Sequence, residues 1–429
     1  MSRKTPLHRW HLAHNAKMAD FGGYEMPLWY SSVKQEHLSV LTRAGLFDTS
    51  HMAVVLVGGT GAADLLQRCF TQDLDACIGR RKRPLAAGRC VYGAFLDDSG
   101  GVVDDAIVYR LPQNRYMVVV NAGMGKRIAA HLEDRKEKLA VDIEDRTDQV
   151  GKIDMQGPAS GLILRRILPE ADALLLTMGY FSFNGALDPG SSRNQDRMRL
   201  VDGTPILLSR TGYTGEFGFE IFMAPDRTVA VWEMLLEAGA SHGAIACGLA
   251  ARDSLRAGAV LPLSHQDIGP WPFVRHPWEF TLPFADDRSG FTKEFVGRQA
   301  LEAADDAPYT YPFVGDDLRK VSASEPAVVV DADGNEMGVV LTCATDVGIG
   351  WQGSRILSVA SPDAPENFRP RGLSCGFVKV GSRLTPGDVV NLRDSRRVVR
   401  ATITTDVRPD RTARRPVESM IQAPEEVSS

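Results

Sequence analysis

Apolar positions along the chain change period several times, and each change predicts an element. Val33, His37, Leu38, Leu41 and Ala44 recur at helical spacing, with Gly45 as a C-terminal stop. Ala53 to Val57 reads as a strand, and Thr60 to Phe70 as a helix with Ala62, Ala63, Leu65, Leu66 and Phe70 along one stripe. Cys90 to Leu96 and Val102 to Tyr109 form a predicted hairpin around Asp97-Asp98-Ser99-Gly100-Gly101, followed by a strand at Tyr116 to Asn121 and a helix at Gly125 to Lys138. This order predicts an α+β sheet layer with helices on one face. A second α+β region runs from about Ala140 to Gly258, with the polar stretch Asp188 to Met198 as a surface loop. Asp154 to Pro158 ends a strand there and starts a helix.

Met18 to Tyr30 gathers aromatics around Gly22-Gly23 and Pro27 and reads as a loop with its own core plug. Leu261 to Phe284 is rich in proline and tryptophan and reads as an irregular connection. Short β-like runs follow at 327–330, 338–342, 355–359, 376–380, 389–392 and 398–405, which predict a small all-β barrel or sandwich.

Where the pattern breaks, chemistry is indicated. Asp104 and Asp105 interrupt the strand that starts at Val102, and carboxylates inside an apolar strand are costly unless something uses them. Successive side chains face opposite ways, so Asp105 is expected to face a cavity while Asp104 meets a turn or solvent. Alternatively, both are turn residues satisfied by backbone N–H groups. In Arg210 to Phe222 the alternation Phe217, Phe219, Ile221 puts Glu216, Gly218 and Glu220 on the other face. A carboxylate beyond a side-chain-free position can accept two parallel N–H bonds from a flat amidine-like edge or an arginine, although an edge-strand Glu facing solvent reads the same way. Arg252 and Arg256 lie four apart on a small-residue helix, a placement that suits an acid pair, an anionic ligand or an ordinary exposed face.

Composition narrows the classes. The chain of 429 residues allows two to four domains, and 44% hydrophobic with 24% charged residues is a globular balance. A net charge of -5 argues against a nucleic-acid binder, although Arg80 to Arg83 is a basic run that reads as solvated surface or a dock for an acidic partner. No membrane span or leader is read, so the cytoplasm is the expected compartment. The six cysteines include no CxxC pair and read as small buried hydrophobes; no metal is expected. Gly348 to Gly353 matches GxGxxG, but β-like residues follow where a dinucleotide site needs a helix.

Thr5-Pro6-Leu7, Asp20 to Pro27, Leu46 to Met52, Gly100 to Arg110, Gln156-Gly157-Pro158, Arg210 to Glu220, Gly248 to Arg256 and Phe295 to Leu301 occur in an order that resembles the folate-dependent aminomethyltransferases, the T-protein of the glycine cleavage system and its relatives. The resemblance spans Thr5 to about Thr405. It implies an α+β three-domain cloverleaf around a central folate funnel, with two mixed α/β layers of antiparallel sheet and a C-terminal all-β barrel or sandwich. The implied domains are 1–47 with 150–243, 48–149 with 244–285, and 310–423. It also implies tetrahydrofolate as one-carbon acceptor, a lipoyl carrier, the H-protein, as donor of the methylene, and ammonia release. Position by position it makes Asp105 the catalytic acid, Glu220 and Arg252 holders of the pterin edge, and Tyr92, Asn121 and Tyr213 pocket residues.

Departures from the family pattern include Arg256 to Ala259, Ser264-His265-Gln266-Asp267, the Trp/Pro block, and Arg408 to Arg415 where a C-terminal tyrosine is usual. They leave three readings. The first is aminomethyl transfer. The second is a tetrahydrofolate-dependent demethylase of a small methyl compound, its mouth rebuilt with Trp271, Phe273, His276 and Trp278. The third is a folate-binding protein without catalysis.

Overall fold

A computed structural model describes residues 2–187, 198–322 and 325–421. The expected loop at Asp188 to Met198 therefore lies, apart from Met198, outside the described residues. The chain divides into two compact units, one made of residues up to 51, 148–255 and 410 onward, the other of 52–147 and 256–409.

The first unit is built on a six-stranded sheet in the order Phe183–Gly185, Leu207–Ser209, Gly218–Met223, Gly151–Gln156, Ala44–Asp48, Ala244–Ala246. Alternation sorts its two faces. Phe217, Phe219, Ile221, Ile153 and Met155 enter a core closed by helices Ser160–Ile167 and Thr228–Gly239 and by Val417 and Ile421 of the C-terminal helix. The intervening Lys152, Asp154 and Glu220 lie on the other face, buried as well. A sheet buried on both sides must satisfy its polar face internally, which is the origin of the site described below.

Two expectations fail in this unit. The segment 18–30 is a hairpin, Lys17–Phe21 paired with Tyr24–Trp29, because Gly22 and Gly23 both take positive φ (57° and 80°) and so supply the tight turn that strand twist favours. Pro27 is tolerated because a two-stranded ribbon is all edge. Gly45 does not end the preceding helix. Val33–Thr42 stops earlier, and Gly45 lies within Ala44–Asp48, where a Cβ would stand 2.6 Å from a Val40 methyl carbon.

The second unit carries an antiparallel five-stranded sheet in the order Arg89–Leu96, Val102–Leu111, Arg115–Val120, Ala53–Gly58, Asp142–Asp145, with helices Ala62–Cys69 and Gly125–Glu133 packed on it. It also contains a closed antiparallel barrel of six strands, Tyr309–Gly315, Leu373–Val380, Glu336–Asp346, Val328–Val330, Val389–Arg393 and Val398–Ile403. The closing strand Tyr309–Gly315 pairs with both Leu373–Val380 and Val398–Ile403; the apolar pattern alone did not reveal it, since Pro312 and flanking acids mask it. The expected strand at 355–359 belongs to a separate two-stranded ribbon, Ile349–Gln352 with Arg355–Ser358, which also takes up the GxGxxG match.

The Pro/Trp segment has one short helical turn, Glu279–Thr281, and otherwise follows an irregular path. Its Phe273 and Trp278 are each 2% exposed, and they pack with Phe291, Phe295 and the barrel's Phe377. The demethylase reading placed Phe273 and Trp278 at a mouth. They are core residues, because large aromatics remove more apolar area from water than a solvated loop allows.

Beside them, Lys293 is buried with its Nζ donating to the carbonyls of Gln67, Phe70 and Gln72 at 2.6, 2.6 and 2.9 Å, which closes the end of helix Ala62–Cys69. Replacing Lys293 with methionine leaves those three acceptors without their donor. The expected loss is at least ~2 kcal/mol of unfolding free energy, read from denaturant midpoints. An unchanged midpoint would mean water replaces the ammonium at no cost.

Candidate functional site

In the second unit, Asp104 and Asp105 lie at the point where three strands meet. Ala94 stands opposite Asp105, and Tyr92, two residues further on and on the same face, donates its hydroxyl to Asp105 Oδ2 at 2.7 Å. Asn121, just past the strand Arg115–Val120, donates Nδ2–H bonds to Asp105 Oδ1 at 2.6 Å and Asp104 Oδ1 at 2.8 Å. Its backbone N–H reaches Asp104 Oδ2 at 2.9 Å, and Ser264 Oγ donates to Asp104 Oδ1 at 2.8 Å. Asp105, singled out by the strand pattern, and Tyr92 and Asn121, implied by the family resemblance, are therefore one hydrogen-bonded group.

The expectation for Asp104 is corrected. It meets neither turn nor solvent but is fully buried, held by donors that include Ser264, 160 positions away. No pattern local to the strand could announce them. Asp105 is half-buried. Burial, and next the charge of Asp104, push its carboxyl up to about 7, against the opposing pull of the Tyr92 and Asn121 hydrogen bonds. Asp105, beside a second, buried carboxyl and fed by the neutral donors Tyr92 and Asn121, can hold or release a proton near neutrality. Such a pair can exchange that proton with a bound amine and stabilise positive charge developing beside it.

The first unit supplies a second polar constellation. Glu220 pairs in register with Asp154, and two acids directly opposite each other repel unless a cation intervenes. Lys152 does so, with Nζ 2.8 Å from Asp154 Oδ1 and 2.7 Å from Glu220 Oε1. Arg252, from helix Leu249–Gly258, donates to the other Asp154 oxygen at 2.6 Å, and its guanidinium lies 5.0 Å from the Tyr213 ring centre. Thr49 donates to Asp154 at 2.9 Å and Thr211 to Glu220 at 2.6 Å. Burial opposes ionisation of Asp154, but Lys152 and Arg252 outweigh it and hold its carboxyl down at about 2.

Glu220, Arg252 and Tyr213 thus converge, while Lys152 and Asp154 were missed as site residues. Their signal was present in the alternation of Lys152, Asp154 and Gln156 with Ile153 and Met155, the same pattern that exposed Glu220. The reading of Gly218 as room for a ligand is also corrected. A Cβ there would lie 2.6 Å from the Gln156 side chain, so the amide of Gln156 fills the space. Arg256, expected to share the face and role of Arg252, instead forms a buried ion pair with Asp267 and donates to Thr342 of the barrel at 3.0 Å. Near Lys152 and Arg252, His51 is buried and held neutral at about 4, chiefly by that burial; its Nδ1 has no hydrogen-bond partner among the described residues.

A chain with two mixed α/β sheets and a closed β-barrel, bearing a pair of adjacent acids inside a strand, has the makings of a group-transfer enzyme. Comparison with known proteins supplies the specific class. The family model described as GCVT N-terminal domain matches residues 7–285. The aminomethyltransferase of Geobacillus kaustophilus is 35% identical over 342 residues, which cover 80% of this chain and 86% of that one. The aminomethyltransferase of Symbiobacterium thermophilum is 37% identical over 345 residues, covering 79% and 85%. The crystal structure of glycine cleavage system aminomethyltransferase T from Bartonella henselae superimposes with a TM-score of 0.72 at 26% identity, covering 94% of this chain and 97% of that one. The chain belongs to the aminomethyltransferase family and is a transferase.

Proposed function

We propose that this enzyme transfers a methylene group from an aminomethylated lipoyl arm, carried by an H-protein, to tetrahydrofolate, with release of ammonia. The acid pair carries this reading: Asp105 next to Asp104, both held chiefly by neutral donors, is poised to hold or give up one proton near neutrality. When bound, tetrahydrofolate supplies the amine nucleophile that accepts the carbon. Asp105 orients that amine and favours positive charge next to it, while Tyr92 and Asn121 fix the carboxylate.

Glu220, Arg252 and Tyr213 bind the flat polar end of the folate in this proposal. Two observations support a fit. Arg252 presents its guanidinium against an aromatic ring, and the buried Nδ1 of His51 beside the same cations has no partner among the described residues. A cytoplasmic location and the three-domain division given by the sequence are part of the same proposal. The aminomethyl reading is preferred to demethylation because Phe273 and Trp278, which would have shaped a new donor pocket, lie in the core.

The test is product identity. Enzyme, tetrahydrofolate and aminomethylated H-protein should yield 5,10-methylenetetrahydrofolate by mass and ammonia in equal amount. Formation of methyltetrahydrofolate from a free methyl compound, without H-protein, would replace this reading with the demethylase one.

A further inference from the structure

Ser264 is followed by a residue whose backbone is held in an unusual state. His265 adopts φ 65°, the left-handed region that a side chain with a Cβ seldom occupies. Its imidazole is 43% exposed, yet Nε2 stands 3.6 Å from Oδ1 of the fully buried Asp104. A half-exposed side chain has cheaper places to go, and strained backbone persists where surrounding structure maintains it, often at sites of function.

The groups facing this imidazole are Asp104 and Asp105 from the strand Val102–Leu111 and Arg127 from the helix Gly125–Glu133. Interaction with the Asp104 carboxylate raises the imidazole's pKa above the usual histidine value, against its partial burial and the nearby arginine. Asp104 accordingly faces a group that is cationic more often than an ordinary histidine, whereas Asp105 is bonded to the neutral Tyr92 and Asn121.

We propose that His265 is a positioning residue for the transfer reaction: through Asp104, it fixes which of the two neighbouring carboxyl groups carries the exchangeable proton. The inference rests on the proposed function and deepens it. In that reaction the carbon loses its bonds to sulfur and to the amine nitrogen and gains two to folate nitrogens. The two protons leaving those folate nitrogens balance the ones taken up by the departing thiolate and amine. One of these passes through Asp105, the carboxyl of the two that His265 does not face directly. The His265 ring beside Asp104 biases the exchange toward Asp105, and because that ring reaches solvent, the site equilibrates with bulk water.

Glycine fits the backbone at position 265 without strain, and a half-exposed ring leaves no sealed cavity, so His265→Gly retains the fold. The expected result is a kcat about tenfold lower, with KM for tetrahydrofolate within about twofold, a displaced pH profile, and partial rescue by added imidazole. Unchanged kcat and pH profile would overturn the inference, as would a loss of kcat that imidazole does not restore and that leaves the profile in place.

An arm independent of activity follows the His265 ring by NMR. It should titrate above ordinary histidine, and Asp104→Asn should bring it down; a ring that titrates normally in both proteins overturns the inference. A wild type that makes no methylene product defeats the functional reading, whereas an active wild type matched by His265→Gly defeats this inference alone.

Discussion

Asp105→Asn lowers kcat by about a thousandfold, within the range that loss of a positioned acid or base produces, and leaves tetrahydrofolate affinity nearly unchanged. Asparagine keeps the shape and can still meet the Tyr92 hydroxyl, which rotates to donate or accept. What it lacks is the exchangeable proton and the charge. The same substitution should stabilise the protein in a pH-dependent manner. A carboxyl raised in the folded state carries no penalty below its unfolded pKa, and the folded state loses stability as pH rises from there through about 7. Asparagine removes that penalty, so the variant should exceed the wild type in denaturant midpoint at pH 8 and match it near pH 4. Stopped-flow turnover together with urea titrations at both pH values checks the pair. Full turnover in the variant would remove Asp105 from the mechanism.

The largest stability effect belongs to Asp154. It is fully buried between Lys152 and Arg252, and Asp154→Ala takes the carboxylate from Arg252 and leaves Lys152 with Glu220 alone; removing one side of such a network costs ~3–5 kcal/mol. The sign with pH is opposite to that of Asp105. A carboxyl held at about 2 contributes fully above its unfolded pKa, and that contribution fades as pH falls from about 4 toward 2. Wild type and Asp154→Ala should therefore differ widely at pH 7 and converge in acid. Should the variant be too unstable to purify, Asp154→Asn, which keeps the size and one acceptor, gives the same ordering at smaller amplitude. Equal stability at pH 7 would mean that Lys152 finds its full compensation in Glu220.

What was legible in the sequence followed the reach of local pattern. Period-two alternation disclosed Glu220, and an acid inside an apolar strand disclosed Asp105, because both are anomalies within a few residues of their cause. Asp104 was misread since its satisfaction depends on Ser264 and on the main chain at Asn121, which only folding brings near. Lys152 went unnoticed because its role follows from the register that sets Glu220 opposite Asp154. The barrel's closing strand Tyr309–Gly315 was hidden for a similar reason. Closure is a property of pairing between distant segments, and one proline in an edge-like sequence suppresses the local signal. Phe273 and Trp278 show the converse, that an irregular backbone need not be an exposed one.

Val417 and Ile421 complete the interior of the unit that begins with the first fifty residues. During synthesis, then, the chain's opening hairpin and the sheet around Lys152 must wait, half assembled, for residues that leave the ribosome hundreds of positions later, while 52–409 already contains everything its own unit needs. A premature stop just before Val417 would leave the opening segment and the sheet around Lys152 with an unfinished core.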